Sequence, residues 1–298
     1  MISSLLAQDR LKQDANTLAA AYPALLAEAE RVASIVATGL HGRRQAGQGE
    51  TFWQYRPYQN TDAARRIDWR RSAKGDSLFV RDNEWEAANT IYFWLDKNPG
   101  MNWKSSQSLP LKSERAAIIS LALAKLLMKG GEHCAILGQD KRTRTGRVGF
   151  DRLLEDLLSS EGSQKDFTVP IKSYSRNIIA SDFLSPITEW KDRLTALANH
   201  PAKGVLLHII DPAEEAFPYK GRVELKMPGL NTLKSFIVGR AENSREDYQA
   251  RFERHIQDVE SLAKSIGWHV IRHDTSEPAT HALNSLYELL AGQSPSGR

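Results

Sequence analysis

A single cysteine, Cys134, excludes an intrachain disulfide and favours a reducing compartment. It lies in the run Glu132-His-Cys-Ala-Ile-Leu-Gly138, which reads as a strand, so its thiol is expected in the core. Long apolar runs are missing too. The Ala-rich stretch from Thr17 to Leu40 is interrupted by Glu28, Glu30 and Arg31 and falls short of the roughly 20 apolar residues that span a bilayer. The first residues lack a basic leader followed by a long apolar segment, so a cytoplasmic protein without membrane insertion is expected. Charge of one sign is scarce: 40 basic against 36 acidic residues leave +4, which admits nucleic acid or an acidic partner and demands neither. Three catalytic signatures are absent: a Gly-x-Ser-x-Gly elbow, a phosphate-cradling loop ending in Lys-Ser or Lys-Thr, and His-Glu-x-x-His. His133, His200, His208, His255, His269, His273 and His281 are scattered without ligand-like spacing and read as surface or core histidines.

What is present is enough apolar material, 41% of 298 residues, for one main domain with an accessory N-terminal region. The stretch Ile91-Tyr-Phe-Trp-Leu-Asp96-Lys-Asn98-Pro99-Gly100-Met101 organises it. An apolar run ending in a carboxylate and a turn is a buried strand delivering charge to a sheet edge, where open α/β sheets bind ligands. After it, helix and strand alternate. Helices are expected at Ser113–Lys129, capped by Ser113, and at Asp151–Leu158, Pro186–Asn199, Ser244–Ile266 and His281–Leu290. Strands are expected at Glu132–Gly138, from Ile178 into Ser181-Asp182, at Gly204–Asp211 and at Trp268–Arg272, with an irregular excursion of short strands from Ala213 to Lys234. The fold class that follows is α/β, a doubly wound, mostly parallel sheet of the Rossmann type. The expected divisions are an N-terminal helical segment (1–40), an Arg- and aromatic-rich region with short strands (41–90), the α/β domain (91–292) and a frayed tail (293–298). In the first segment Leu25, Leu26, Ala29, Val32, Ile35 and Val36 form one apolar helical face, with Pro23 at a helix start and Gly39 at its stop.

The second region carries a resemblance. Gly49-Glu50, Phe52, Arg56-x-Tyr58, Asp62, then Arg65-Arg66-Ile67-Asp68-Trp69 and Ala73, with an aliphatic strand ending in Asp96 and Met101 beyond, resemble the bacterial family called domain of unknown function 58. The resemblance implies a von Willebrand factor A-like domain preceded by a characteristic insertion, and a MoxR-type AAA+ ATPase as partner. It also implies a place for Mg²⁺, a hard cation that takes about six oxygen ligands. Such a site uses Asp-x-Ser-x-Ser after the first strand. Here the motif reads Asp96-Lys97-Asn98-Pro99-Gly100, so Asn98 replaces one hydroxyl and Gly100 supplies none. Asp96, Asn98 and Asp182 remain as weak metal candidates. No cofactor is expected, and Asp96 and Asp182 read equally as helix caps or as partners of basic residues at the edge.

Two further readings accompany this one. Arg43, Arg44, Arg56, Arg65, Arg66, Arg70 and Arg71 with Trp53, Tyr55 and Trp69 could face nucleic acid. The interleaved Asp62 and Asp68 favour internal ion pairing instead. The basic run Lys141–Arg147 reads as a solvated turn. Asp96-x-Asn98 is similar to the nucleophile turn of haloacid dehalogenase-type phosphatases, yet an amide cannot act as its second, proton-transferring carboxylate. The expectation is therefore a non-catalytic interaction protein that meets its partner through Asp96, Asn98, Ser181 and Asp182, with the motif from Gly49 to Trp69 serving structure or binding.

Overall fold

The computed structural model of the chain describes residues 27, 29–34, 52–58, 67–73, 75, 77–83, 90–138, 143–159, 171–227 and 234–292. They divide into two units, one within Arg43–Ala88 and the other made of Met1–Gly42 with Asn89–Arg298. In the larger unit, helical residues 29–34 (α1) bury Ala29, Val32 and Ala33 in the main core, as three-to-four spacing dictates. Glu30, outside that stripe, pairs with Lys125. Leu25, Leu26, Ile35 and Val36 lie outside the described residues, as do Pro23 and Gly39.

The smaller unit holds an antiparallel pair, β1 (Phe52–Pro57) and β2 (Phe79–Asn83), with an irregularity between Phe52 and Gln54. Between the strands sits one helical turn, α2 (Trp69–Ser72). Ser72 ties that turn to β2: its hydroxyl donates to the Asp68 carbonyl (2.8 Å) and accepts from the Phe79 N–H (2.9 Å).

In the larger unit the chain runs β3 (Thr90–Leu95), α3 (Lys112–Lys129), β4 (His133–Ile136), α4 (Gly146–Ser159), β5 (Arg176–Ser181), α5 (Ile187–Ala198), β6 (Lys203–Ile210) and α6 (Pro212–Ala216). It continues through β7 (Val223–Met227), β8 (Lys234–Val238), α7 (Arg245–Ser265), β9 (His269–Asp274) and α8 (Ala279–Gly292). Five strands form a parallel sheet in the order β4-β3-β5-β6-β9, while β7 and β8 pair antiparallel by themselves. The chain steps from β3 to β4 on one side and returns to β5 on the other. The resulting switch point, between the C-terminal ends of β3 and β5, is where open α/β sheets open a crevice.

Strand periodicity explains the two layers. Ile91, Phe93 and Leu95 face a core shared with α1, α3, α4 and α8, whereas Tyr92 and Trp94 face α5 and α7. The central strands β3 and β6 are therefore apolar at nearly every position, as a sheet covered on both faces requires. Trp190 anchors the second layer, edge-on to Trp94 at 5.8 Å and 4.6 Å from Phe183 between ring centroids. Gly204 is fixed by close approach, since a Cβ there would sit 2.2 Å from the Trp268 ring. Cys134 is fully buried, and among the described residues no helix is long and apolar enough to cross a membrane.

Some boundaries differ from expectation. Leu111, not Ser113, holds the N-cap position of α3: Glu114 reaches back to accept the Leu111 N–H at 2.9 Å, and the Ser113 hydroxyl donates to Asn102 Oδ1 instead. α4 begins at Gly146, earlier than expected, and just before it Arg144 bridges to Cys134 backbone to backbone and pairs with Asp156. Arg144 is thus tied into the fold rather than solvated, while Lys141 and Arg142 lie outside the described residues.

Candidate functional site

Each strand that reaches the switch point ends in a polar residue, and the first turn of α3 points a lysine at them. Asp96 follows β3, Ser181 ends β5 with Asp182 beyond it, and Asp211 follows β6. Lys112 is the first residue of α3, and Glu214 belongs to α6. The site begins at Asp96. Its Oδ1 accepts the Asn98 N–H at 2.9 Å, and its Oδ2 accepts both the Ser181 hydroxyl at 2.6 Å and the Asn98 amide at 2.8 Å. The same amide nitrogen donates to Asp182 Oδ1 at 3.2 Å, while Asn98 Oδ1 accepts the Gly100 N–H at 2.7 Å. One asparagine thus joins the ends of β3 and β5.

Lys112 completes the arrangement. Its Nζ lies 3.0 Å from Asp182 Oδ2 and 2.5 Å from Glu214 Oε1, with only 1% of the lysine and 2% of the aspartate exposed. Glu214 accepts the Asp211 N–H through its other oxygen (2.9 Å), and Asp211 accepts from Ala213 N–H and Ser105 N–H at 2.9 Å each. The 103–110 connection is thereby fastened to the end of β6. Burial pushes the Glu214 carboxyl above its ordinary range, and the neighbouring Lys112 ammonium pulls it back. A network of this kind is held by groups that would each be costly to strip of water alone.

The arrangement limits the chemistry. Asp96, the residue placed as a phosphatase nucleophile would be, has both oxygens engaged. Asn98 presents N–H donors to two carboxylates where a proton-transferring acid would be needed. His255 Nε2 bonds the Phe183 carbonyl at 2.7 Å, and His208 packs edge-on to Phe183 with centroids 5.5 Å apart, so both histidines back the Asp182 turn.

All four residues read from the sequence as partner contacts, Asp96, Asn98, Ser181 and Asp182, come together here. Ser181 and Asp182 lie beneath the surface, whereas Asp96 and Asn98 are half-buried. Lys112, Asp211 and Glu214 escaped the sequence reading. Two signals for them exist: a lysine in the first turn of a helix, against the helix dipole, and Asp211-Pro-Ala-Glu214, a capping box of three-residue spacing. In the smaller unit Ile67 is buried, Asp68 half-buried, and Trp69 and Arg70 exposed, Trp69 at 62%. Phe52, Trp53, Tyr55 and Arg56 lie on β1, with Tyr58 just beyond and half-buried. Gly49, Glu50, Asp62, Arg65 and Arg66 fall outside the described residues, as do Arg43 and Arg44.

Comparison with known proteins gives a family and little more. The family model described as "Protein of unknown function DUF58" matches residues 54–258. The uncharacterized proteins Rv1480 of Mycobacterium tuberculosis and Mb1516 of Mycobacterium bovis are each 25% identical over 239 residues, covering 74% of this chain and 73% of theirs. The crystal structure of the conserved hypothetical protein BatB from Bacteroides thetaiotaomicron aligns over 69% of this chain and 100% of its own, with 13% identity and a TM-score of 0.38.

Proposed function

The chain belongs to the DUF58 family, and from that premise we propose that it is a non-catalytic protein-interaction protein. Its partner docks at the C-terminal edge of the parallel sheet, over Asp96 and Asn98. One observation carries this reading: the polar groups between the ends of β3 and β5 are bonded to one another, so that they form a rigid polar centre rather than a set of groups free to act on a substrate. Around that surface Trp103 and Leu184 stand 36% and 45% exposed, and Leu184 N–H donates to Asp182 Oδ1 at 3.2 Å. Large apolar side chains beside a rigid polar centre are what an interface core uses.

The partner we propose, on the strength of the family resemblance, is a MoxR-type AAA+ ATPase, with this chain as its adaptor in the assembly or maturation of other proteins. Capture of the tagged chain from its native extract with ATP should recover the ATPase. The double variant Trp103→Ala/Leu184→Glu, which keeps Asp96, Asn98, Ser181, Asp182 and Lys112, should lose it. Undiminished capture by that variant would move the docking surface elsewhere, and recovery of nucleic acid alone would favour the Arg- and Trp-bearing smaller unit, where Trp69 and Arg70 stand exposed side by side.

A further inference from the structure

We propose that Lys112 is the built-in cation of this edge: its ammonium takes Asp182, one of the carboxylates that a bound divalent ion would otherwise hold, and ties it to Glu214, so that the edge is complete without metal. The inference concerns the chain alone and stands whether or not the partner reading does.

The first ground is position. The ammonium lies between Asp182, carried by β5, and Glu214, carried by the turn after β6, and it is delivered from α3, so one cationic centre ties three elements together. With lysine and aspartate both removed from water, losing either one alone strands the other's charge, a far larger cost than breaking a surface ion pair. The Trp103 ring, 5.9 Å from Nζ, adds an aromatic face of the sort that attracts an ammonium. A small hard ion would call for oxygen or water there.

The second ground is the orientation of Asn98. Gly100 N–H can only donate and the Asp96 and Asp182 carboxylates accept, so the amide must turn Oδ1 toward Gly100 and Nδ2 toward the carboxylates. In that orientation Asn98 turns its nitrogen, not its oxygen, toward the space between the two carboxylates. Bringing the oxygen there would mean turning the amide over and giving up these contacts.

The third ground is Gly100. A Cβ at this position would lie 2.8 Å from Asn98 Oδ1 and 2.9 Å from Asp182 Oδ2, so a hydroxyl-bearing residue cannot enter without displacing both. The glycine read in the sequence as a missing ligand is the space that lets the amide and carboxylate close. These residues do not fit the Mg²⁺ site that the von Willebrand factor A-like resemblance implies. They fit an ammonium.

The test measures thermal unfolding of the full chain with EDTA, Mg²⁺ or Mn²⁺. The wild type should melt at the same temperature in all three. Lys112→Met leaves two buried carboxylates uncompensated and should melt about 10 °C lower, recovering in a saturable way as Mn²⁺ is added. The triple variant Lys112→Met/Asp182→Asn/Glu214→Gln removes the charges together, should regain stability without metal, and should ignore Mn²⁺. If the single variant does not fold, folding of the triple variant supports the proposal. A triple variant as unstable as the single would assign Lys112 to packing and overturn it. So would a Lys112→Met protein that is as stable as the wild type or indifferent to Mn²⁺, and so would a wild type stabilised by Mn²⁺ in a manner abolished by Asp182→Asn.

Discussion

Mild acid should loosen this protein through two buried histidines. His208 on β6 and His273 on β9 are each 1% exposed, and among the described residues neither ring nitrogen of His273 has a hydrogen-bond partner. They sit on opposite faces: His208 lies two residues beyond Leu206 on the α5 and α7 side, while His273 is in register with Ile209 on the α3 and α8 side. Burial lowers the His208 imidazole to about 4; Asp182 opposes the shift, and Arg272 and His255 reinforce it. Burial likewise lowers His273 to about 4, with Arg115 and His281 reinforcing and Asp274 opposing. The ordinary value is 6.5. Between 6.5 and about 4 the unfolded chain therefore binds more protons than the folded one, so stability is full above that window and is lost as pH falls through it. Going from about pH 7 to about pH 5 should cost about 2 kcal/mol per histidine. The separated sites should add to about 4 kcal/mol, a large part of a typical folding stability of roughly 10. Urea unfolding followed by tryptophan fluorescence at stepped pH measures this directly. His208→Leu and His273→Leu should each remove about half of the slope. A double variant whose stability falls as steeply as that of the wild type would refute the reasoning.

Other perturbations probe particular contacts. Gly204→Ala forces a methyl into the Trp268 ring and should cost about 1–3 kcal/mol in chemical denaturation, a loss that Trp268→Leu should partly relieve. Gly100→Ser should destabilise by about 1–3 kcal/mol through displaced Asn98 and Asp182; a variant as stable as the wild type would show that the site can relax. Asp211→Ala removes the acceptor for Ala213 and Ser105 N–H groups and should cost about 1–2 kcal/mol, with faster amide exchange at Ser105 as its local signature. Cys134 is fully buried and its thiol is pushed up by burial, so a thiol reagent should modify it only as fast as the protein opens. Rapid labelling of the native chain would contradict that placement.

The strands were legible in the sequence because a sheet covered on both faces leaves little room for polar residues within it. Ile91–Leu95 and Gly204–Ile210 stand out as apolar runs for that reason alone. Asp96, Ser181 and Asp182 were legible by position, since strand ends on one side of a parallel sheet must converge, and the pairing of Asp182 with a basic residue was among the readings the sequence allowed. Which basic residue could not be read. Lys112 lies 70 residues from Asp182 and 102 from Glu214, and only the packing of α3 across the sheet brings them together. Ser113 was mistaken for the cap because a serine before a helical run is the commoner signal, whereas here the reach of Glu114 back to Leu111 fixes the start. The turn α6 is too short for periodicity, and its Asp-Pro-x-Glu spacing was the only clue.

The distance along the chain between Lys112 and its two acceptors makes their meeting a proofreading event in folding. The ammonium can be satisfied only after β5 has been laid beside β3 and β6 beside β5, in a sheet whose strands close large loops and so assemble slowly. Were β5 to slip by one residue, every side chain on it would turn to the opposite face, carrying Asp182 away and stranding a lysine out of water. Misaligned sheets would thus bear a penalty that apolar strands, tolerant of many registers, cannot impose by themselves.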